Sequence, residues 1–104
     1  MNIEDVKELV RTDQYYYSAH AEIERKADEL TFAQVEEAIL KGTILEQYPD
    51  TGRGESCLLV GFSGEIPVHI VCGWRGENIA LITLYIPTPP KFIDPWTRGN
   101  ESDE

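Results

Sequence analysis

Two histidines, a threonine, a tyrosine and a few arginines are the residues of this chain whose types and spacing suit proton-transfer chemistry. Only His20 and His69 can change charge near neutral pH. His69 lies in the run IPVHIVCGW, and Thr83 and Tyr85 lie in LITLYIP. Alternate residues of a strand share a face, so two paired strands could present all three together. They would then supply a general acid or base, a second proton donor, and a hydroxyl to orient a phosphate. RNA cleavage through a 2′,3′-cyclic phosphate needs a group to take the 2′-OH proton, a group to protonate the leaving oxygen, and a cation on the phosphate. Arg25, Lys26, Arg53 and Arg75 are candidate cations. Neither a metal nor another cofactor is expected. The plain alternatives are a strand His69 with a satisfied hydrogen bond and a His20 that packs helix against sheet.

Other residues are less specific. The run Tyr15–Tyr17 could stack bases or cover a small core. Arg53 stands in a glycine-flanked loop, as a phosphate contact or a turn residue. Cys57 and Cys72 form no CxxC pair and read as small buried hydrophobes. There is no P-loop, GxGxxG, HExxH or GxSxG pattern. Two histidines this far apart make a poor metal site.

The elements that must position these residues change character along the chain. Asn2 can cap a first helix through Arg11, and a second is expected from about Tyr15 to Ala27. Thr31 and Gln34 form a capping-box pattern for a third, closed by Gly42. From Thr43 the period becomes two, with strands expected at 44–48, 56–62, 67–73 and 78–86 and turn residues between them. The expected fold class is α+β, with N-terminal helices packed on one face of a four-stranded antiparallel meander sheet. A three-residue loop around Gly76 would put Val68, Ile70, Cys72, Ala80, Ile82 and Leu84 under the helices. His69, Leu81, Thr83 and Tyr85 would share the open face, with Leu58 and Val60 nearby.

The chain has 104 residues, 41% of them hydrophobic, and a net charge of −10. That suits one small domain, expected over residues 1–91, followed by an acidic flexible tail over 92–104. The acids concentrate in the front third and the tail, so binding of nucleic acid by a broad basic surface is disfavoured. No run is long and apolar enough to span a bilayer, and the acidic start is no signal peptide. A cytoplasmic location is the expectation.

The runs SAHAEIERKADELTFAQVEEAILKG, GTILEQYPD, SCLLVGF, IPVHIVCGW and LITLYIP resemble a bacterial and archaeal domain-of-unknown-function family, numbered four-two-five-eight. The resemblance covers residues 15–96 in order. It rests on His20 at a helix start, Gly42 after the third helix, His69 in its strand, and Ile82 to Tyr85. It implies an outline similar to the compact toxin nucleases of the barnase, colicin and RelE-like grouping, often paired with a zinc-finger-type antitoxin. On that analogy His69, Tyr85, Thr83 and His20 are the catalytic positions, with Arg25 as a nearby cation. Members often carry an R-x-x-x-R-G-(I/V) run after the helix histidine. Here Glu24 and Asp28-Glu29-Leu30 stand there, which removes positive charge.

Two functions follow as expectations. One is a metal-independent endoribonuclease, the toxin of a type II toxin–antitoxin pair, whose His69 face an antitoxin covers. The other is a non-catalytic interaction module that binds a zinc-finger partner through that face.

Overall fold

Three short polar side chains start the three helices of the computed structural model, which describes residues 1–49, 52 and 54–99. Asn2 accepts from the Glu4 amide at 2.8 Å and opens α1 (Ile3–Arg11). Ser18 accepts from the Ala21 amide at 3.0 Å and opens α2 (Ala19–Ala27). Thr31 and Gln34 close a reciprocal capping box at α3 (Phe32–Leu40). Each cap satisfies amides that have no partner inside the first helical turn.

The strands are β1 (Tyr15–Tyr17), β2 (Thr43–Tyr48), β3 (Ser56–Ser63), β4 (Ile66–Arg75), β5 (Asn78–Tyr85), β6 (Phe92–Asp94) and β7 (Thr97–Arg98). The first five form one sheet in the order β1-β5-β4-β3-β2, and β6 and β7 form a separate hairpin. The fold is therefore α+β, but its sheet is mixed rather than a four-stranded antiparallel meander. The extra strand comes from Tyr15–Tyr17, expected as the first turn of α2. Three aromatic residues in sequence favour extended backbone, and here they pair in parallel with Ile79–Leu81. Tyr15 and Tyr17 pack against the core, while Tyr16 faces outward.

One core lies between α1, α3 and the sheet, with Val6, Val35 and Ile39 against Leu59, Ile70, Leu81 and Leu84. Gly61 lets α3 ride on the β3 backbone, since a Cβ there would stand 1.8 Å from the Ala38 carbonyl oxygen. Gly42 serves a similar close approach, 2.6 Å from the same oxygen, rather than a left-handed cap.

The β4–β5 hairpin differs from its expected register in two compensating ways. Arg75 pairs with Asn78 across a two-residue turn, with Gly76 at φ +65° in the first central position, where a type II′ turn needs glycine. The register then shifts between Val71 and Cys72, leaving Ile82 as an inserted residue. Leu81 thus joins the helix-side core opposite Cys72, and Ala80 turns to the second face, the reverse of the expected assignment. Beyond the bulge parity returns. Ile70 and Leu84 lie under the helices, while His69 opposite Tyr85 and Thr83 opposite Val71 share the second face.

That second face is not open. Residues 92–99, expected to begin a flexible tail, instead form the β6–β7 hairpin and its exit, so the packed structure runs past residue 91. Phe92 is 1% exposed and stacks edge-on to the His69 ring at 4.4 Å. Trp96 lies 5.6 Å from the Phe62 ring, and Arg98 makes two bonds of 2.7 and 2.8 Å to the Glu46 carboxylate. The cover that Leu58 and Val60 were expected to need from a partner is supplied on this face by the chain itself.

Candidate functional site

β5 is paired by β1 only as far as Leu81, so the edge of its second half lacks a neighbouring strand. α2 closes that edge. The Ser18 amide donates to the Leu81 carbonyl at 3.0 Å, and its hydroxyl donates to the Ile82 carbonyl at 2.8 Å. The Leu84 amide donates to Glu24 Oε1 at 3.0 Å, and the Ile86 amide donates to Asp28 Oδ2 at 3.1 Å. Glu24 and Asp28, read from sequence as a loss of positive charge, thus hold backbone amides that arginine could not, because a carboxylate accepts and a guanidinium can only donate.

The same edge gathers candidate chemistry. The Thr83 hydroxyl donates to Glu24 Oε1, and His20 Nε2 lies 3.4 Å from that oxygen. The His20 side chain is 68% exposed and that of Glu24 27%, so the corner meets solvent. Among the described residues every polar contact of the Glu24 side chain falls on Oε1, which leaves Oε2 for an incoming proton. Tyr85 follows Thr83 on the same face, its hydroxyl 3.4 Å from His69 Nδ1.

His69 is fully buried. Its Nε2 donates to the Pro95 carbonyl at 2.6 Å, because a carbonyl oxygen can only accept. In the neutral ring Nδ1 is then the acceptor that faces the Tyr85 hydroxyl. Burial is the largest influence on His69 and lowers its pKa, against the opposing pull of the Pro95 bond and Glu46. Burial likewise raises the Tyr85 pKa, so this phenol keeps its proton. Beside them, Arg98 first and Tyr48 next hold the Glu46 carboxyl down at about 2.

Both the His69 and the Glu46 shift cost stability in acid, over different pH windows. The unfolded His69 protonates near pH 6.5 and the buried one only at lower pH, so the unfolded chain binds the extra proton first. Stability therefore falls as pH drops below about 6.5 toward the folded-state pKa. Glu46 contributes stability that is full above its ordinary range and is lost as pH falls toward 2. Urea unfolding between pH 7.5 and 5 should show the first loss in the wild type and a much flatter profile in His69→Gln. Identical slopes in both proteins would refute this assignment.

The structure thus brings the expected residues together in two linked pairs, His20 with Thr83 through Glu24, and His69 with Tyr85. The two histidines do not contact each other. Arg25 is not available as a phosphate ligand. Its guanidinium makes bonds of 3.0 and 2.6 Å to Glu22, donates to the Leu30 carbonyl at 2.7 Å, and stacks 4.0 Å over the Phe32 ring. Arg53 lies outside the described residues. The cations beside the site are Lys91, the last residue of the expected domain, 5.3 Å over the Tyr85 ring, and Arg98, from the expected tail, 5.0 Å over the Phe92 ring. Cys57 and Cys72 are buried free thiols with sulfurs 3.8 Å apart, away from this face. No group of three or more potential ligands able to hold a metal occurs among the described residues.

A family model described as a domain of unknown function (DUF4258) matches residues 17–86. The chain belongs to this family. The DUF4258 region contains His20, Glu24, Arg25, His69, Thr83 and Tyr85, whereas Lys91 and the hairpin that buries His69 follow it. No curated protein and no solved structure matches the chain. Within its described residues this DUF4258 protein has no helix long and apolar enough to cross a membrane.

Proposed function

We propose that this chain is a metal-independent endoribonuclease, the toxin of a type II toxin–antitoxin pair, and that its chemistry sits at the corner of α2 and β5. The observation that supports this reading best is the meeting of the His20 imidazole and the Thr83 hydroxyl on the solvent-facing Glu24 carboxylate. In this reading Glu24 takes the proton of the ribose 2′-OH and the freed oxygen attacks phosphorus. His20, as imidazolium, gives a proton to the departing 5′-oxygen, which leaves a 2′,3′-cyclic phosphate. When RNA binds, the Thr83 hydroxyl turns from Glu24 to a non-bridging oxygen, and Lys91 offsets charge on the phosphoryl group. His69 does not touch RNA; its Nδ1 accepts a hydrogen bond from the Tyr85 hydroxyl and holds that ring beneath Lys91. A zinc-finger-type antitoxin would cover the same corner.

A second reading, a non-catalytic interaction module, draws on the full burial of His69 and the net charge of −10. Cleavage of a labelled RNA by purified protein in the presence of a chelator separates the two. A nuclease yields cyclic-phosphate ends and loses roughly 100- to 10,000-fold in rate in His20→Ala, with growth arrest on induction of the wild type alone. A folded wild type that neither cleaves RNA nor arrests growth would leave the interaction module standing.

A further inference from the structure

Away from the α2–β5 corner, and sharing no residue with it, a cavity of about 430 Å³ opens between α1 and the β4–β5 turn. Asp5, Glu8, Leu9, Trp74, Gly76 and Glu77 line it. Two of these are apolar, with Trp74 half-buried against the core and Leu9 beside it. Three are carboxylates, Asp5 and Glu8 from α1 and Glu77 from the hairpin turn, so acids from two elements line the same cavity as Trp74. Glu8 already pairs with a guanidinium of its own helix, Arg11, at 3.6 Å. Neither Asp5 nor Glu77 makes a side-chain hydrogen bond or ion pair among the described residues.

We infer that this cavity binds an arginine side chain presented by a basic segment of a partner protein. A guanidinium stacks on an indole face through its plane and bonds carboxylates through its edge, and the cavity offers both surfaces. The volume exceeds that of one side chain, and the cavity opens to solvent, which leaves room for adjoining peptide. The net charge of −10 draws a basic chain toward the molecule from a distance and repels acidic ones. Lysine fits less well, because its compact ammonium cannot stack and bond at once.

The test titrates the full chain with a capped peptide of alternating glycine and arginine, read by calorimetry and by the Trp74 indole resonance. The inference predicts saturable binding that shifts this resonance and weakens roughly tenfold in Glu77→Gln and in Asp5→Asn. Glu65→Gln, an exposed acid elsewhere, makes the same charge change and leaves binding intact. Circular dichroism checks that each variant is folded. The lysine version of the peptide binds more weakly. Equal weakening by Glu65→Gln would show attraction to the general charge and overturn the site. Spermidine that binds as tightly and displaces the peptide would overturn the polypeptide source, and an unmoved Trp74 resonance would overturn the location.

Discussion

Gly61→Ala should lower stability by about 3 kcal/mol, the upper part of the range for overpacking a filled interior. The new Cβ would meet the Ala38 carbonyl oxygen at 1.8 Å, and the Ala38 carbonyl and α carbons also lie close. These atoms are backbone, so no rotamer change relieves the clash. α3 must lift from β3, and Val35 and Ile39 lose contacts with the sheet as it does. At roughly 4 °C per kcal/mol for a domain of this size, the melting temperature drops by about 12 °C. Ala38→Gly removes a Cβ but not the carbonyl, so it cannot rescue the variant. A Gly61→Ala protein that melts within a degree or two of the wild type would show that α3 does not seat as described.

Phe92→Ala carries the second large effect, and it is local. Phe92 is the hairpin residue most fully withdrawn from water, and its ring meets His69 edge-on. Truncating a buried phenylalanine costs about 3–5 kcal/mol, while the rest of the hairpin is held by the Arg98–Glu46 pair, the Pro95–His69 bond and the Trp96–Phe62 contact. Those contacts are modest beside the loss, so the hairpin should release before the core does. His69 then meets water, and its lowered pKa climbs back toward about 6.5. Titration of the imidazole resonances reads this directly. The acid-side loss of stability expected of the wild type should shrink with it. An unchanged His69 titration would mean that the hairpin stays docked without Phe92.

Helix starts were legible where the cap is a short-range event. Asn2, and Thr31 with Gln34, act within one turn and need no knowledge of the rest of the chain. The face shared by His69, Thr83 and Tyr85 was also legible, although the turn assumed for it was wrong. One residue fewer in the turn and one extra residue at the Ile82 bulge cancel, so parity is restored where these side chains lie. Leu81 and Ala80, between the two irregularities, had no such protection. β1 was hidden because a three-residue strand before a good helix resembles the helix's first turn, and its partner is remote. The hairpin was hidden by composition. Prolines, a glycine and the acids from Asp94 onward suggest a tail, and only contacts to distant Glu46, Phe62 and His69 reveal otherwise.

The site was legible in its residue types more than in its connections. His20 and Thr83 were singled out separately, yet the residue that joins them, Glu24, looked like a defect. Its role depends on β1 stopping short and leaving the Leu84 amide of β5 without a strand partner, which no local pattern announces. Arg25 shows the converse. It has the right type and a nearby position, but its Nε, Nη1 and Nη2 each already donate to Glu22 or Leu30, and Phe32 covers one face.

The parallel pairing of Tyr15–Tyr17 with Ile79–Leu81 also governs the order of assembly. A chain made from its N-terminus releases β1 early, but the strand that β1 pairs with is the last of the five to emerge. Until then Ser18 and Glu24 have no β5 groups to bind, Asp28 lacks the Ile86 amide just beyond it, and α2 has no edge to close. The first part of the protein to be synthesised is thus among the last to settle. Much of the loop-closure entropy is spent before that distant contact returns any stability, which favours slow docking of β1 and α2. A nascent chain halted before residue 78 would lack the one strand to which β1 and α2 both attach.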